Sequence, residues 1–164
     1  MGSGKSTVGR LIARKLEWKF YDSDACIEAE EKMTVSEIFG QKGEAAFRAL
    51  EKKAIAKLAQ ETDCVIAAGG GVPLSEDNWK AFEKNSTVLW LKVRPETLLA
   101  RLERGGAKTR PILKDSLSVE KISALLKERE PFYRKATLTI ETDDLEVEEA
   151  AEKAVRLILP KKSK

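Results

Sequence analysis

Apolar residues recur at helical spacing from Thr7 to Leu16, and the run Trp18 to Tyr21 that follows has the short aromatic character of a strand. The same alternation continues along the chain. Cys64 to Ala68, Thr87 to Val93 and Leu138 to Glu141 predict further strands, and the first two lead to a Gly or Pro before a helical pattern resumes. Helices are predicted over Ser23 to Lys32, Val35 to Gly40, Glu44 to Gln60, Glu76 to Lys84, Glu96 to Arg104, Ser118 to Arg129 and Glu146 to Leu159. Strands that alternate with helices pair in parallel through crossover connections, so the fold class is α/β. Gly105 to Ser116 carries two glycines, a proline and several cations between two helices and reads as a mobile surface loop. No repeat or linker interrupts the pattern, so residues 1–164 form one domain, with a solvated tail at Lys161 to Lys164.

Composition narrows the chemistry. Histidine is absent, which removes His-based triads, His general bases and His metal ligands. Cys26 and Cys64 do not form a C-x-x-C pair and read as buried, reduced thiols. The 30 basic and 27 acidic residues are intermixed, so the net charge of +3 gives no electrostatic footprint for nucleic acid. No long apolar run suggests a membrane span and no leader pattern opens the chain, so the expected location is the cytoplasm.

The stretch Gly2-Ser3-Gly4-Lys5-Ser6-Thr7 has the core of the Walker A pattern. Its glycines let backbone N–H groups wrap a phosphate, and the helix that follows presents its positive end to the same anion. Lys5 is placed to reach the β- and γ-phosphates of ATP, and the Ser6 hydroxyl to coordinate Mg²⁺. A Gly-rich turn capping a helix is the plainer reading. The full pattern has a further glycine and a buried strand ahead of this point.

Asp22-Ser23-Asp24 sits at the C-terminal end of the first predicted strand, where open α/β sheets place ligands. Asp22 is a candidate for the Mg²⁺ shell and Asp24 for an acceptor hydroxyl; either could instead cap the next helix, and capping is compatible with catalysis. Glu44, Arg48 and Glu51 share one helix face, an arrangement that by itself is usually a solvent-exposed ion-pair stripe. Gly69-Gly70-Gly71 after a buried strand lets backbone approach a ligand closely. Arg110-Pro111 in the loop and Arg129, followed by Pro131 and Tyr133, add cations.

Taken together, M-G-S-G-K-S-T at residue 1, Y-D-S-D at 21 to 24, G-E-A-A-F-R-A-L-E at 43 to 51, G-G-G at 69 to 71, R-P-I-L at 110 to 113 and R-E-P-F-Y at 129 to 133 resemble the shikimate kinase family of P-loop kinases, in order and spacing. The resemblance implies a three-layer fold with a five-stranded parallel sheet in the order 2-3-1-4-5 and helices on both faces. It implies that Asp24, Arg48, Gly70 and Arg129 hold shikimate, the arginines taking its carboxylate. Arg110 becomes a lid arginine on the transferring phosphoryl group and Arg104 lies against adenine. The implied enzyme uses ATP and Mg²⁺ and acts as a monomer without a nucleic-acid or membrane partner. Its rivals are another small-molecule P-loop kinase and a homologue that binds nucleotide without turnover.

In the resembled family the central strand and the first Walker glycine precede this loop. The expectation is that Met1 is an internal methionine of a longer protein, or that the chain is a fragment, and that residues 1–164 alone are unstable or poorly active.

Overall fold

A computed structural model describes residues 2–83, 85–104 and 118–159. Within them the order is α1 (Lys5–Leu16), β1 (Lys19–Asp22), α2 (Ser23–Glu31), α3 (Val35–Leu58), β2 (Cys64–Ala67), a 3-10 turn (Val72–Leu74), α4 (Glu76–Glu83), β3 (Leu89–Lys92), α5 (Pro95–Arg104), α6 (Val119–Tyr133), β4 (Leu138–Glu141) and α7 (Val147–Ile158). The predicted alternation is therefore present. The loop read over 105–116, with Arg110 in it, lies outside the described residues.

Both strand pairs are parallel. β1 pairs with β2 from Lys19 opposite Cys64 to Asp22 opposite Ala67, and β3 pairs with β4 from Leu89 opposite Leu138 to Lys92 opposite Glu141. These are pairs 2-3 and 4-5 of the family order, counted with the family's first strand ahead of α1. Among the described residues none forms a strand between them. A cavity of about 1590 Å³ borders every residue of β2 and β3 and none of β1, which puts it along the inner edges of the two pairs.

The pairs are joined by helix packing. Val8 and Ile12 of α1 share one apolar cluster with Leu91 of β3, Ile140 of β4 and Ala150, Ala151 and Ala154 of α7, with Val65 of β2 packed against it. The alanines are almost wholly inaccessible, and their small side chains let α7 lie close on α1. A second cluster joins Ile27 of α2 to Ile38, Phe47 and Ala54 of α3; a third joins Leu98 and Leu102 of α5 to Ile122 of α6.

Local sequence accounts for the boundaries. Asp22 caps α2, Thr34 and Glu37 form a reciprocal capping box at α3, and Ser118 caps α6. The helices expected over Val35 to Gly40 and Glu44 to Gln60 form one element with a break at Gly43, whose φ of 79° and ψ of 171° are not helical. The end expected for α6 at Arg129 is corrected, because the helix runs through Pro131 to Tyr133. Proline here removes an amide only in the last turn, and the chain closes with Arg134 N–H on the Glu130 carbonyl at 2.9 Å and Lys135 N–H on that of Phe132 at 3.2 Å.

If the α1–α7 contact ties the strand pairs together, overfilling it should loosen the whole domain. Ala151→Leu is expected to lower stability by about 1–3 kcal/mol, read as a drop in thermal midpoint, and an unchanged midpoint would show that the contact is not tightly packed.

Candidate active site

The phosphate loop begins the site. Gly2 and Gly4 have φ of 69° and 83°, and Gly4 is the N-cap of α1 without offering a side chain to its amides. No acidic residue occupies the first turn of α1, whereas every other described α-helix has at least one there. The N–H groups and positive end of α1 are thus kept for an anion from outside. Leu98 and Leu102 of α5 press on Gly2 so closely that a Cβ there would lie 2.8 Å from Leu98 Cδ2.

Asp22 uses its two oxygens differently. Oδ1 accepts from the amides of Asp24 at 3.1 Å and Ala25 at 3.4 Å, while Oδ2 accepts from the Ser6 hydroxyl at 2.6 Å. Of the two readings left open for Asp22, the cap on α2 is observed, and its other oxygen faces Ser6. The pair also fits Mg²⁺, which takes oxygen ligands and commonly uses one or two protein groups with phosphates and water. Among the described residues there is no cluster of three or more acids or thiols that would point to a different metal.

Asp24 lies one helical step further on, partly buried. Burial pushes its carboxyl above the usual range, the neighbouring Asp22 adds to this, and Lys5 opposes it. Lys5 and Asp24 therefore stand within each other's field at the junction of phosphate loop and α2. Ser23, fully buried, accepts from the Gly69 amide at 2.9 Å and donates to Asp24 Oδ1 at 3.4 Å.

The triple glycine is needed first for the site's own side chains. A Cβ on Gly69 would lie 2.8 Å from Asp24 Oδ1 and 3.3 Å from Glu51 Oε1, and one on Gly71 would overlap the Arg48 guanidinium. Gly70 presents its carbonyl to α6, accepting from Arg129 Nη1 at 3.3 Å and from the Tyr133 hydroxyl at 2.9 Å. Close backbone approach, read from the sequence as access for a ligand, is thus already used by Asp24, Glu51 and Arg48.

Arg48 is more than a surface stripe. It binds Glu44 at 3.0 Å and both oxygens of Glu51 at 3.0 Å, and Glu51 is only 2% exposed. Burial raises the Glu51 carboxyl, against the pull of Arg48 and Arg129 and with a push from Asp24. Glu51, Asp24, Arg48 and Arg129 accordingly form one charged group around the glycine turn.

Lys5, Asp24, Arg48, Gly70 and Arg129 are thus brought together, and Ser3, Lys5, Gly70 and Arg129 border the same large cavity. Its volume exceeds the usual range for a small-molecule pocket because it continues into the space between β2 and β3. Thr7 is exposed in the first turn of α1, and Arg104 is exposed at the end of α5, two residues beyond Leu102. Arg110 is outside the described residues. Sequence reasoning missed Ser23 and Tyr133 and saw Glu51 only as part of a stripe. Tyr133 stands at i+4 from Arg129, beyond the end that the sequence predicts for this helix.

Removing Arg48 leaves a buried carboxylate without its partner. Arg48→Ala is expected to cost on the order of 3 kcal/mol near neutral pH. The sign with pH follows from Glu51: its folded value is raised, the folded state holds the proton more tightly, and stability rises as pH falls through that value. Thermal midpoints of the variant should therefore recover toward the parent as pH is lowered from neutrality toward the ordinary carboxylate range. A deficit that is constant across this range would show that Glu51 is not stranded.

A family model described as shikimate kinase matches residues 1–159. The chain is 42% identical to the shikimate kinase of Caldanaerobacter subterraneus over its whole length and 95% of that protein, and 46% identical to that of Moorella thermoacetica over 89% of the chain and 83% of that protein. Among solved structures, shikimate kinase from Acinetobacter baumannii in complex with shikimate superposes with a TM-score of 0.92 at 37% identity, covering all of this chain and 91% of that one. Shikimate kinase from Aquifex aeolicus gives 0.82 at 33% identity, covering 96% and 91%. This chain belongs to the shikimate kinase family.

Proposed function

We propose that this protein transfers the γ-phosphoryl group of ATP to a hydroxyl of shikimate, giving shikimate 3-phosphate and ADP. The observation that carries the reading is the position of Asp24, which has Lys5 of the phosphate loop on one side and the Arg48, Glu51 and Arg129 group on the other. A donor site and an acceptor site therefore meet at one carboxylate.

In this reading the loop Gly2, Ser3, Gly4, Lys5, Ser6 and Thr7 holds the phosphates, with Lys5 on the transferring group. Arg48 and Arg129 take the carboxylate of shikimate, Gly70 lies beside it, and Asp24 orients the acceptor hydroxyl. As the bond from the γ-phosphorus to the β-bridging oxygen breaks, a bond to the hydroxyl oxygen forms and Asp24 accepts the hydroxyl proton. A carboxylate held above its usual range is the better base for this step. Ser6 and Asp22 would hold Mg²⁺, which supplies charge neutralisation on the phosphates. Arg110 acts on the transferring group from the loop over 105–116, and Arg104 lies against adenine, both roles resting on the family resemblance.

The reading carries a single domain acting as a monomer in the cytoplasm. Among the described residues no helix is long and apolar enough to cross a membrane. The alternative is nucleotide binding without turnover.

A coupled ADP-release assay decides between them. ADP release should depend on shikimate and saturate with it; release that ignores shikimate, or that is faster with gluconate or a nucleoside monophosphate, would reject the acceptor assignment, and ATP binding without any release would favour the non-catalytic alternative. Asp24→Asn should abolish this turnover while leaving stability near neutral pH unchanged or higher. The reason is that the native carboxylate is ionised there at a cost: its raised folded value means that stability falls as pH rises through it. Retained turnover, or a lowered thermal midpoint, would contradict the role given to Asp24.

A further inference from the structure

The glycine turn after β2 has almost no stiffness of its own, because three consecutive residues lack side chains. Its shape must be imposed by hydrogen bonds, and they can be followed one by one. Gly69 N–H donates to Ser23 Oγ at 2.9 Å. The carbonyl of Gly69 accepts from Val72 N–H at 3.1 Å and that of Gly71 from Leu74 N–H at 3.0 Å, both within the turn itself. The Gly70 carbonyl is different, since its donors come from α6, Arg129 at 3.3 Å and Tyr133 at 2.9 Å.

Those two donors are not equivalent. Arg129, under the function proposed above, turns its guanidinium to the carboxylate of the acceptor, and its contact with Gly70 is already the longer one. The Tyr133 ring packs against Trp90 of β3 with centroids 5.7 Å apart, so its hydroxyl is aimed by the sheet and not by the acceptor. One rigid peptide plane carries the Gly70 carbonyl and the Gly71 N–H, so fixing the oxygen fixes the orientation of that unit. Gly71 in turn lies directly against the Arg48 guanidinium.

We propose that Tyr133 is a positioning residue for the acceptor site: its hydroxyl holds the Gly70 carbonyl, sets the Gly70–Gly71 peptide against Arg48, and keeps that geometry when Arg129 engages the acceptor. This rests on the acceptor assignment of the preceding subsection. Tyr133 touches neither substrate and acts through backbone. Its contribution should therefore fall on acceptor binding and spare ATP.

Tyr133→Phe keeps the ring on Trp90 and removes only the hydroxyl. The expected result is a KM for shikimate raised about five- to tenfold, the scale of one lost hydrogen bond, with the KM for ATP and the thermal midpoint unchanged. Calorimetric titration of shikimate in the absence of nucleotide should show the same loss of affinity. A shikimate KM equal to that of the parent protein would overturn the proposal, and so would a fall in thermal midpoint with both KM values raised together, which is what a merely structural hydroxyl would give. If the parent protein itself neither binds nor turns over shikimate, the acceptor assignment fails first and the proposal with it.

Discussion

The described arrangement depends on α1, because among the described residues the two parallel strand pairs are not hydrogen-bonded to each other and are joined by side-chain packing. Its buried face, Val8 and Ile12, reaches β2 on one side and the cluster of β3, β4 and α7 on the other. Its first residue, Lys5, belongs to the phosphate loop. The same twelve-residue helix therefore fixes the relative position of the halves and carries the anion site at its N-terminus. Packing that fails around Val8 or Ile12 would be felt at Lys5 without any change in the loop itself.

The acceptor side is built by a different principle, the satisfaction of buried charge. Asp24 and Glu51 are carboxylates whose ionised forms are disfavoured by burial; Glu51 is salt-bridged to Arg48, and Asp24 lies within the field of Lys5. These opposing charges offset the burial, and the glycine turn supplies the room for it. Structure and reactivity share a cause here. The desolvation that would make an unpaired carboxylate costly also raises the proton affinity of Asp24, which suits the base role proposed for it.

Much of this was legible in the sequence, for reasons that can be named. The apolar periodicities gave all four described strands and the seven helices, because each is amphipathic or buried enough to leave a pattern. The phosphate loop was legible because glycine spacing and a following helix are local features. The order of the strands was not, since pairing is non-local and came only from the family resemblance. Ser23 escaped because a buried serine that bonds a backbone amide 46 residues away leaves no local trace. Tyr133 escaped because it lies beyond the helix end predicted at Arg129, although a proline in the last turn removes little and the helix continues to it. The triple glycine was correctly taken as a sign of close approach, but what approaches most closely is Arg48.

The clasp of Arg48 by Glu44 and Glu51 also bears on discrimination. The guanidinium already has two tethered carboxylates beside it, so any dissolved anion meets competitors held in place by the fold. Chloride, acetate or any small acid arriving alone would have to displace one of these internal competitors with nothing else to hold it. An acceptor that simultaneously offers hydroxyls to Asp24 and a carboxylate to Arg129 brings additional contacts to the exchange. Under the proposed function, the pocket is in that sense guarded by its own acids, which favours a hydroxylated carboxylate over simple anions.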